Sequence, residues 1–393
     1  GERYYYGAIS TQQEVITDSA MSRLLRMREG DPYTLDSLLR TQYVLDDSQY
    51  FKGVEIESGD PDPVTRTVPV TITAQPNRRH RYSTSLGYAT DTRARGKFTW
   101  DDRYVNPHGH RAKVELIGSS VLSGISGRYV IPVMDVALEK LEFSAALTNE
   151  ERGDTQSQRA EVGAGLTQVI GRWQRVLFVT LSDEKTTVPA TTTEPETTST
   201  AFLIIPSISF ATMPNYILGG KVRPYTVYAE LRGSPSSFGS DSSFLQFRAQ
   251  VERVYRFSER WSLRGRLELG ASWVDNFSEL PASQRFFAGG DRSVRGFALN
   301  ELSPKDDKGN SIGGRNLLTG TLEIERALPR NFGVAAFYDF GNAFNNFGDP
   351  LEYSAGLGVR FHVAVVSLGL DVAQALSQPD RNPRLHIFIS TLL

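Results

Sequence analysis

The chain has 393 residues, no cysteine and a formal net charge of -2 at pH 7. It is longer than one small domain, offers no disulfide framework or thiolate chemistry, and shows no basic balance that would point to nucleic acid. No apolar run approaches the roughly 18 to 20 residues of a membrane-spanning helix, but a β-barrel stays open because its lipid face needs only every second residue apolar.

Residues 1–76 predict a small mixed domain. Arg3–Ser10 reads as an aromatic strand. Asp18 or Ser19 is placed to cap a helix with Met21, Leu24 and Leu25 inward. Gly30-Asp31-Pro32 turns the chain to Thr34, the expected cap of a second helix with Leu35, Leu38, Leu39 and Tyr43 at helical spacing. Two strands follow, carrying Phe51, Val54 and Ile56, then Val68, Val70 and Ile72, with Asp60-Pro61-Asp62-Pro63 as the turn between them. The order β-α-α-β-β resembles a POTRA domain. Arg3-Tyr4-Tyr5-Tyr6-Gly7, Glu29-Gly30-Asp31-Pro32-Tyr33 and Gln49-Tyr50-Phe51-Lys52-Gly53-Val54 carry that resemblance.

From His80 onward the period changes from 3.6 to 2. Trp261, Leu263, Leu267, Leu269 and Trp273 fall on one face of a long run, against Ser262, Arg264, Arg266 and Glu268 on the other. The same alternation recurs at 245–252 and 353–361. A charged face opposite an apolar one suits a wet lumen and a lipid exterior, and the two tryptophans fit interfacial girdles. About sixteen such segments are expected, an even number as in single-chain bacterial barrels. The expected fold is therefore mostly β: a 16-stranded antiparallel transmembrane barrel over residues 77–393, preceded by one α+β domain. Short connections at Asn106–His110, Gly171–Gln174, Ser258–Arg260 and Leu328–Asn331 fit periplasmic turns. Asn149–Gln158, Thr186–Thr200, Gly233–Ser243 and Asp275–Gly314 fit longer external loops, Thr186–Thr200 being of low complexity.

The longest loop, about 275–314, contains Phe286-Phe287-Ala288-Gly289-Gly290-Asp291-Arg292-Ser293-Val294-Arg295-Gly296-Phe297. Glycines permit a tight reversal, and Val294 and Phe297 flank one cation. This run resembles the lid-loop signature of the POTRA-plus-barrel assembly factors related to BamA. Leu86-Gly87-Tyr88-Ala89-Thr90-Asp91-Thr92, Asn106-Pro107-His108-Gly109-His110 and Gly171-Arg172-Trp173-Gln174-Arg175 turn the resemblance toward the TamA family. The resemblance implies a lid folded into the barrel, with Gly289, Gly290, Asp291, Val294, Arg295, Gly296 and Phe297 as its motif. It also implies acidic partners for Arg295 on the inner wall. Alternation puts Glu323 inward between Leu322 and Ile324, and Asp339 inward between Tyr338 and Phe340. The planar fork of arginine suits such a pair.

The closing strands are expected at about Arg81–Ala89 and Arg384–Leu392, with Pro379 and Pro383 limiting how far they pair. Tyr82, Thr84, Leu86, Tyr88, His386 and Phe388 are the expected lateral gate, where an unpaired edge can template a client strand. The resemblance further implies an outer-membrane location with the POTRA domain in the periplasm. Client outer-membrane proteins or autotransporters are implied, or else lipid traffic, with a TamB-like inner-membrane-anchored partner on the POTRA module. The chain begins at Gly1 without a signal peptide, so a removed leader is expected; TamA proteins carry three POTRA domains, so either a truncated chain or a one-POTRA relative is expected, and the Ser390-Thr391-Leu392-Leu393 ending departs from the usual aromatic. No cofactor, metal or catalytic residue is expected. Alternatives are a BamA-like barrel, a two-partner or patatin-type secretion barrel, a passive porin and an outer-membrane hydrolase. The hydrolase would need a serine, histidine and acid together, which the five histidines do not supply.

Overall fold

The computed structural model describes residues 3–188, 196–213, 225–307, 309–363 and 366–391. The N-terminal unit is a three-stranded sheet ordered Tyr5–Gln12, Thr67–Pro76, Phe51–Ser58, the first pair parallel and the second antiparallel. Two helices, Asp18–Leu24 and Leu35–Asp47, pack on it.

Thr17, rather than Asp18 or Ser19, caps the first helix, its hydroxyl accepting Ala20 N at 3.2 Å. Thr34 caps the second by accepting Ser37 N at 3.2 Å. Leu25 lies just beyond the first helix in extended backbone, yet still packs against the core. The second helix turns a different face inward from the one its leucine spacing suggests. Leu35, Leu39 and Tyr43 are exposed, whereas Leu45 and Thr41 are fully buried. A threonine can occupy that inner face because its hydroxyl is satisfied twice: it donates to Ser37 O at 2.8 Å and accepts Arg26 N at 3.0 Å, which removes the cost of burying it.

From His80 to Thr391, 16 antiparallel strands close into a barrel. The alternation is the reason. In Trp261–Val274, Leu263, Leu267, Leu269 and Trp273 stand on the outer surface while Ser272 is buried inside. No helix among the described residues is long and apolar enough to cross a membrane. The N-terminal unit lies at the end of the barrel that holds the Asn106–His110 turn. Thr17 N donates to Pro107 O at 2.8 Å, and Arg26 grips Asp135 through both nitrogens at 2.8 and 2.9 Å. Burial pushes the Tyr50 hydroxyl up, so it stays a donor, to Gly109 O at 2.6 Å. Gly109 has φ +79, and a side chain there would meet that hydroxyl.

One expected external loop is strand instead. Lys140–Arg152 and Thr155–Ile170 run to a two-residue turn at Gly153-Asp154, paired as far as Arg152↔Thr155. Asn149–Gln158 is polar because this part of the sheet has no apolar face to bury, and that polarity imitates a loop. The Thr186–Thr200 segment behaves likewise, pairing Thr186↔Ser199, Thr187↔Thr198 and Val188↔Thr197; its centre, 189–195, lies outside the described residues.

Candidate functional site

The long loop between Trp261–Val274 and Asn316–Ala327 enters the barrel. Its path is set by two glycines: Gly289 and Gly290 both have φ +98, a region closed to most L side chains. A Cβ on Gly289 would strike Ala298 O. Val294 and Phe297 are fully buried, packed with Phe286, Ala288 and Leu302 against wall residues Leu317, Ala343 and Ala375. This apolar plug holds Arg295 between them, 6% exposed.

Arg295 reaches three carboxylates. Nε and Nη2 meet the two oxygens of Asp339, each at 2.8 Å, and Nη1 meets Glu323 at 2.8 Å and Asp371 at 3.0 Å. The Arg295 backbone N–H also donates to Asp339 at 3.2 Å. The guanidinium lies over the Phe337 ring, 3.3 Å from its centroid, a favourable cation–π placement. Arg360 supplies a second cation, with Nη2 at 3.3 Å from Glu323 and Nη1 bonded to Asp371. Three buried carboxylates thus share two buried arginines, and each charge has a charged partner, as burial demands.

Asp371 and Arg360 were not among the expected partners. Parity signals both: Leu370 and Val372 face outward around Asp371, as do Val359 and the exposed Leu357 beside Arg360. His386 belongs to the closing strand, as expected of a gate residue. On the last strand it faces the lumen, 1% exposed, and its Nε2 lies 2.7 Å from Arg295 O. Phe388 also points inward, its ring 5.0 Å from the Arg360 guanidinium. Tyr82, Thr84, Leu86 and Tyr88 point outward from the first barrel strand, His80–Ala89. The six residues expected as one gate are therefore split between the two faces of the wall, because each lies at the opposite parity of its strand.

A second clasp holds the base of the loop on the far wall. Glu184, 1% exposed, accepts Ser157 Oγ at 2.8 Å and Ser283 N at 3.3 Å, and also bonds Ser283 Oγ. Beside it Gln246 Nε2 donates to Gln284 O at 2.7 Å. Sequence reasoning missed this cluster; the inward parity of Ser182 and Glu184 against outward Leu181 was its available signal.

The seam between the last strand, Arg384–Thr391, and the first is nearly unladdered. Phe388↔Ala89 is its one registered pair among the described residues, whereas all of His80–Ala89 pairs with Arg93–Asp102. Side chains replace the ladder: Ile387 N donates to Thr90 Oγ1 at 2.8 Å and Arg95 to Ile389 O at 3.1 Å. Asp91 joins seam to loop, lying 3.5 Å from Arg384 Nη2 and accepting Asp291 N at 2.8 Å. Pro379 and Pro383 precede the last strand at the end that Ile387, Phe388 and Arg384 hold against Thr90, Ala89 and Asp91.

Gly296 sits where the loop touches the wall most closely: a Cβ there would lie 2.8 Å from Ser354 Cβ and 2.9 Å from Ala375 Cα. Gly296→Ala should lift Arg295 off its acids, costing about 1–3 kcal/mol as an overpacked contact. Faster tryptic cleavage of the loop in the folded barrel checks it; an unchanged cleavage rate would show that the loop accommodates the methyl group.

Residues 218–391 match the family profile described as the Omp85 superfamily domain, and residues 4–77 match POTRA, described as surface antigen variable number repeat. A stretch of 145 residues is 28% identical to the outer membrane protein assembly factor BamA of Nitratidesulfovibrio vulgaris, covering 35% of this chain and 18% of that protein. The chain thus spans less than a fifth of that relative. The crystal structure of BamA from Haemophilus ducreyi lacking POTRA domains 1–3 superposes with a TM-score of 0.80 at 14% identity, over 100% of this chain and 85% of the other. CdiB from Acinetobacter baumannii gives 0.62 at 14% identity, over 98% and 74%. At such identities the two structures speak for the fold alone.

Proposed function

We propose, from the premise that this chain joins a POTRA domain to a barrel of the Omp85 superfamily, that it inserts client proteins into the outer membrane through its seam. The chain is an outer-membrane protein with its POTRA domain on the periplasmic side. The observation that carries the proposal is the seam: among the described residues Phe388↔Ala89 is its one registered pair, and the rest of His80–Ala89, with Tyr82, Leu86 and Tyr88 outward, has no registered partner on the closing strand. An unpaired strand edge is a template for another strand. Among the described residues the joint between Thr197–Thr212 and Tyr225–Ser234 has five registered pairs and every other joint seven or more, so the seam is the weakest place for a client strand to add. The loop clasped by Glu323, Asp339 and Asp371 holds the lumen shut while the seam works.

The finer reading as a TamA-type component, with a TamB-like partner on the POTRA domain and autotransporter clients, rests on the first-strand and turn segments. A BamA-like reading rests on the 28% match. Both make the seam the working part. Capture of the POTRA domain by a TamB-like periplasmic segment would favour the first reading.

The function itself is tested by adding urea-unfolded outer-membrane protein to vesicles of phosphatidylethanolamine and phosphatidylglycerol containing the chain. Folding, read by the gel shift of the unheated client, should quicken at least about tenfold, a barrier drop of about 1.4 kcal/mol. No acceleration would sink the proposal, and a large steady conductance from the intact chain would favour a porin.

A further inference from the structure

One of the bonds across the seam comes from neither of its two strands. Arg95 belongs to the second barrel strand, Arg93–Asp102, and its Nη2 donates to Ile389 O at 3.1 Å. The side chain therefore passes over the whole width of the first strand, two strand spacings or about 10 Å in all, to reach the closing one.

A notch in the first strand lets it through. Gly87 stands opposite Arg95 in register, and a Cβ on Gly87 would lie 2.7 Å from Arg95 Nε and 3.3 Å from its Cγ. Those atoms are the middle of the side chain, so a methyl group there displaces the guanidinium as a whole. The backbone does not itself require glycine at this position, because Gly87 has no positive φ. What the missing side chain serves is the passage of Arg95.

The bond is also an exchangeable one. Ile389 O is the single hydrogen-bond acceptor of Arg95 among the described residues, and no carboxylate fixes the guanidinium. That acceptor is a main-chain carbonyl, a group that every strand presents whatever its side chains. Its place in the seam matters as much. Ile389 follows Phe388, whose pairing with Ala89 is the one registered across the seam among the described residues, and residues 80–88 have no registered partner on the closing strand. A strand that pairs along this free edge and advances toward Ala89 meets Ile389 first, and the bond it must displace there is the one from Arg95.

We propose that Arg95 is a positioning residue for strand insertion: as the client strand takes the place of Ile389, Arg95 passes its hydrogen bond from Ile389 O to a main-chain carbonyl of the client. This rests on the seam being where client strands add, and it names the group by which they are recognised, which is main chain and not side chain. The charged donor, the stronger kind, is then satisfied both before and after the exchange.

Deuterium uptake by the closing strand in client-free vesicles, read by mass spectrometry over residues 384–391, reports how often the seam lets go. Arg95→Ala should raise that exchange rate at least about tenfold, the worth of one hydrogen bond from a charged donor. In the client-folding assay the half-saturating client concentration should not fall, because the client-bound seam loses the same bond as the resting one. Gly87→Val keeps the arginine, suits a strand and closes the notch, so it should reproduce both results. Both variants must keep the gel shift of the folded barrel; if Arg95→Ala does not fold, Gly87→Val decides. Unchanged exchange in the folded variants would show that Arg95 does not hold the seam and would overturn the proposal. A half-saturating concentration that falls about tenfold in step with the faster exchange would reveal a plain latch with no hold on the client, and would overturn it too. A wild-type chain that speeds no client sinks the seam reading and the handover with it, whereas the exchange measurement, made without client, still tells whether Arg95 bars the seam.

Discussion

Replacing Arg295 by alanine should release the loop from the barrel while leaving the 16 strands closed. Asp339 is fully buried and draws its charge partner from Arg295, and the substitution also leaves Glu323 and Asp371 to share Arg360, with Arg264 4.0 Å from Glu323 at the edge of the cluster. Removing one member of a buried ion cluster costs about 3–5 kcal/mol, because the remaining charges keep their desolvation penalty. That raises the open fraction of the loop by roughly 10²–10⁴. Trypsin offers a direct reading, since Arg292 and Lys305 lie within the loop: cleavage should accelerate by that order while the unheated barrel keeps its gel mobility. Arg295→Lys should behave almost as badly, since an ammonium cannot meet Asp339 through two nitrogens and also reach Glu323 and Asp371. Wild-type resistance to trypsin in Arg295→Ala would mean that the apolar contacts of Val294 and Phe297 hold the loop by themselves.

Locking the seam should abolish client insertion. Ala89 and Phe388 are opposed in register and both point inward. Opposed residues of an antiparallel pair lie about 4.5–5.5 Å apart at Cα, inside the range a disulfide spans. Ala89→Cys with Phe388→Cys, once oxidised, should drop the client folding rate at least about tenfold, to that of lipid alone, and dithiothreitol should restore it. Phe388→Cys also removes a ring from beside Arg360, so the reduced protein is the proper reference. A matched bridge at Val251 and Leu267, opposed within a continuous ladder, should change nothing. Full activity with the seam bridge formed would remove the seam from the mechanism.

The barrel was legible because lipid and lumen impose opposite chemistry on alternate residues, and 261–273 shows this without help from any relative. Arg295, Glu323 and Asp339 came from a motif combined with that alternation. Asp371 obeys the same alternation, but a lone inward aspartate does not announce which loop residue it meets. His386 was assigned by its strand and not by its parity; Leu385 and Ile387 on either side are outward, and reading them first would have turned the imidazole toward Arg295. Asn149–Gln158 failed for a different reason: above the membrane both faces of a sheet are wet, so strand and loop share one composition. The near-absence of a ladder at the seam has no local signal, because whether the first and last strands meet depends on closure of the whole circle.

Asp91 holds the backbone of the loop through Asp291 and stands against Arg384 of the closing strand. A single carboxylate therefore fastens both the stopper and the lock. If the seam opens as proposed, thermodynamic linkage makes the dependence mutual: whatever free energy couples the two through Asp91 acts in both directions, so lifting the stopper from outside would weaken the lock as much as parting the wall would loosen the stopper.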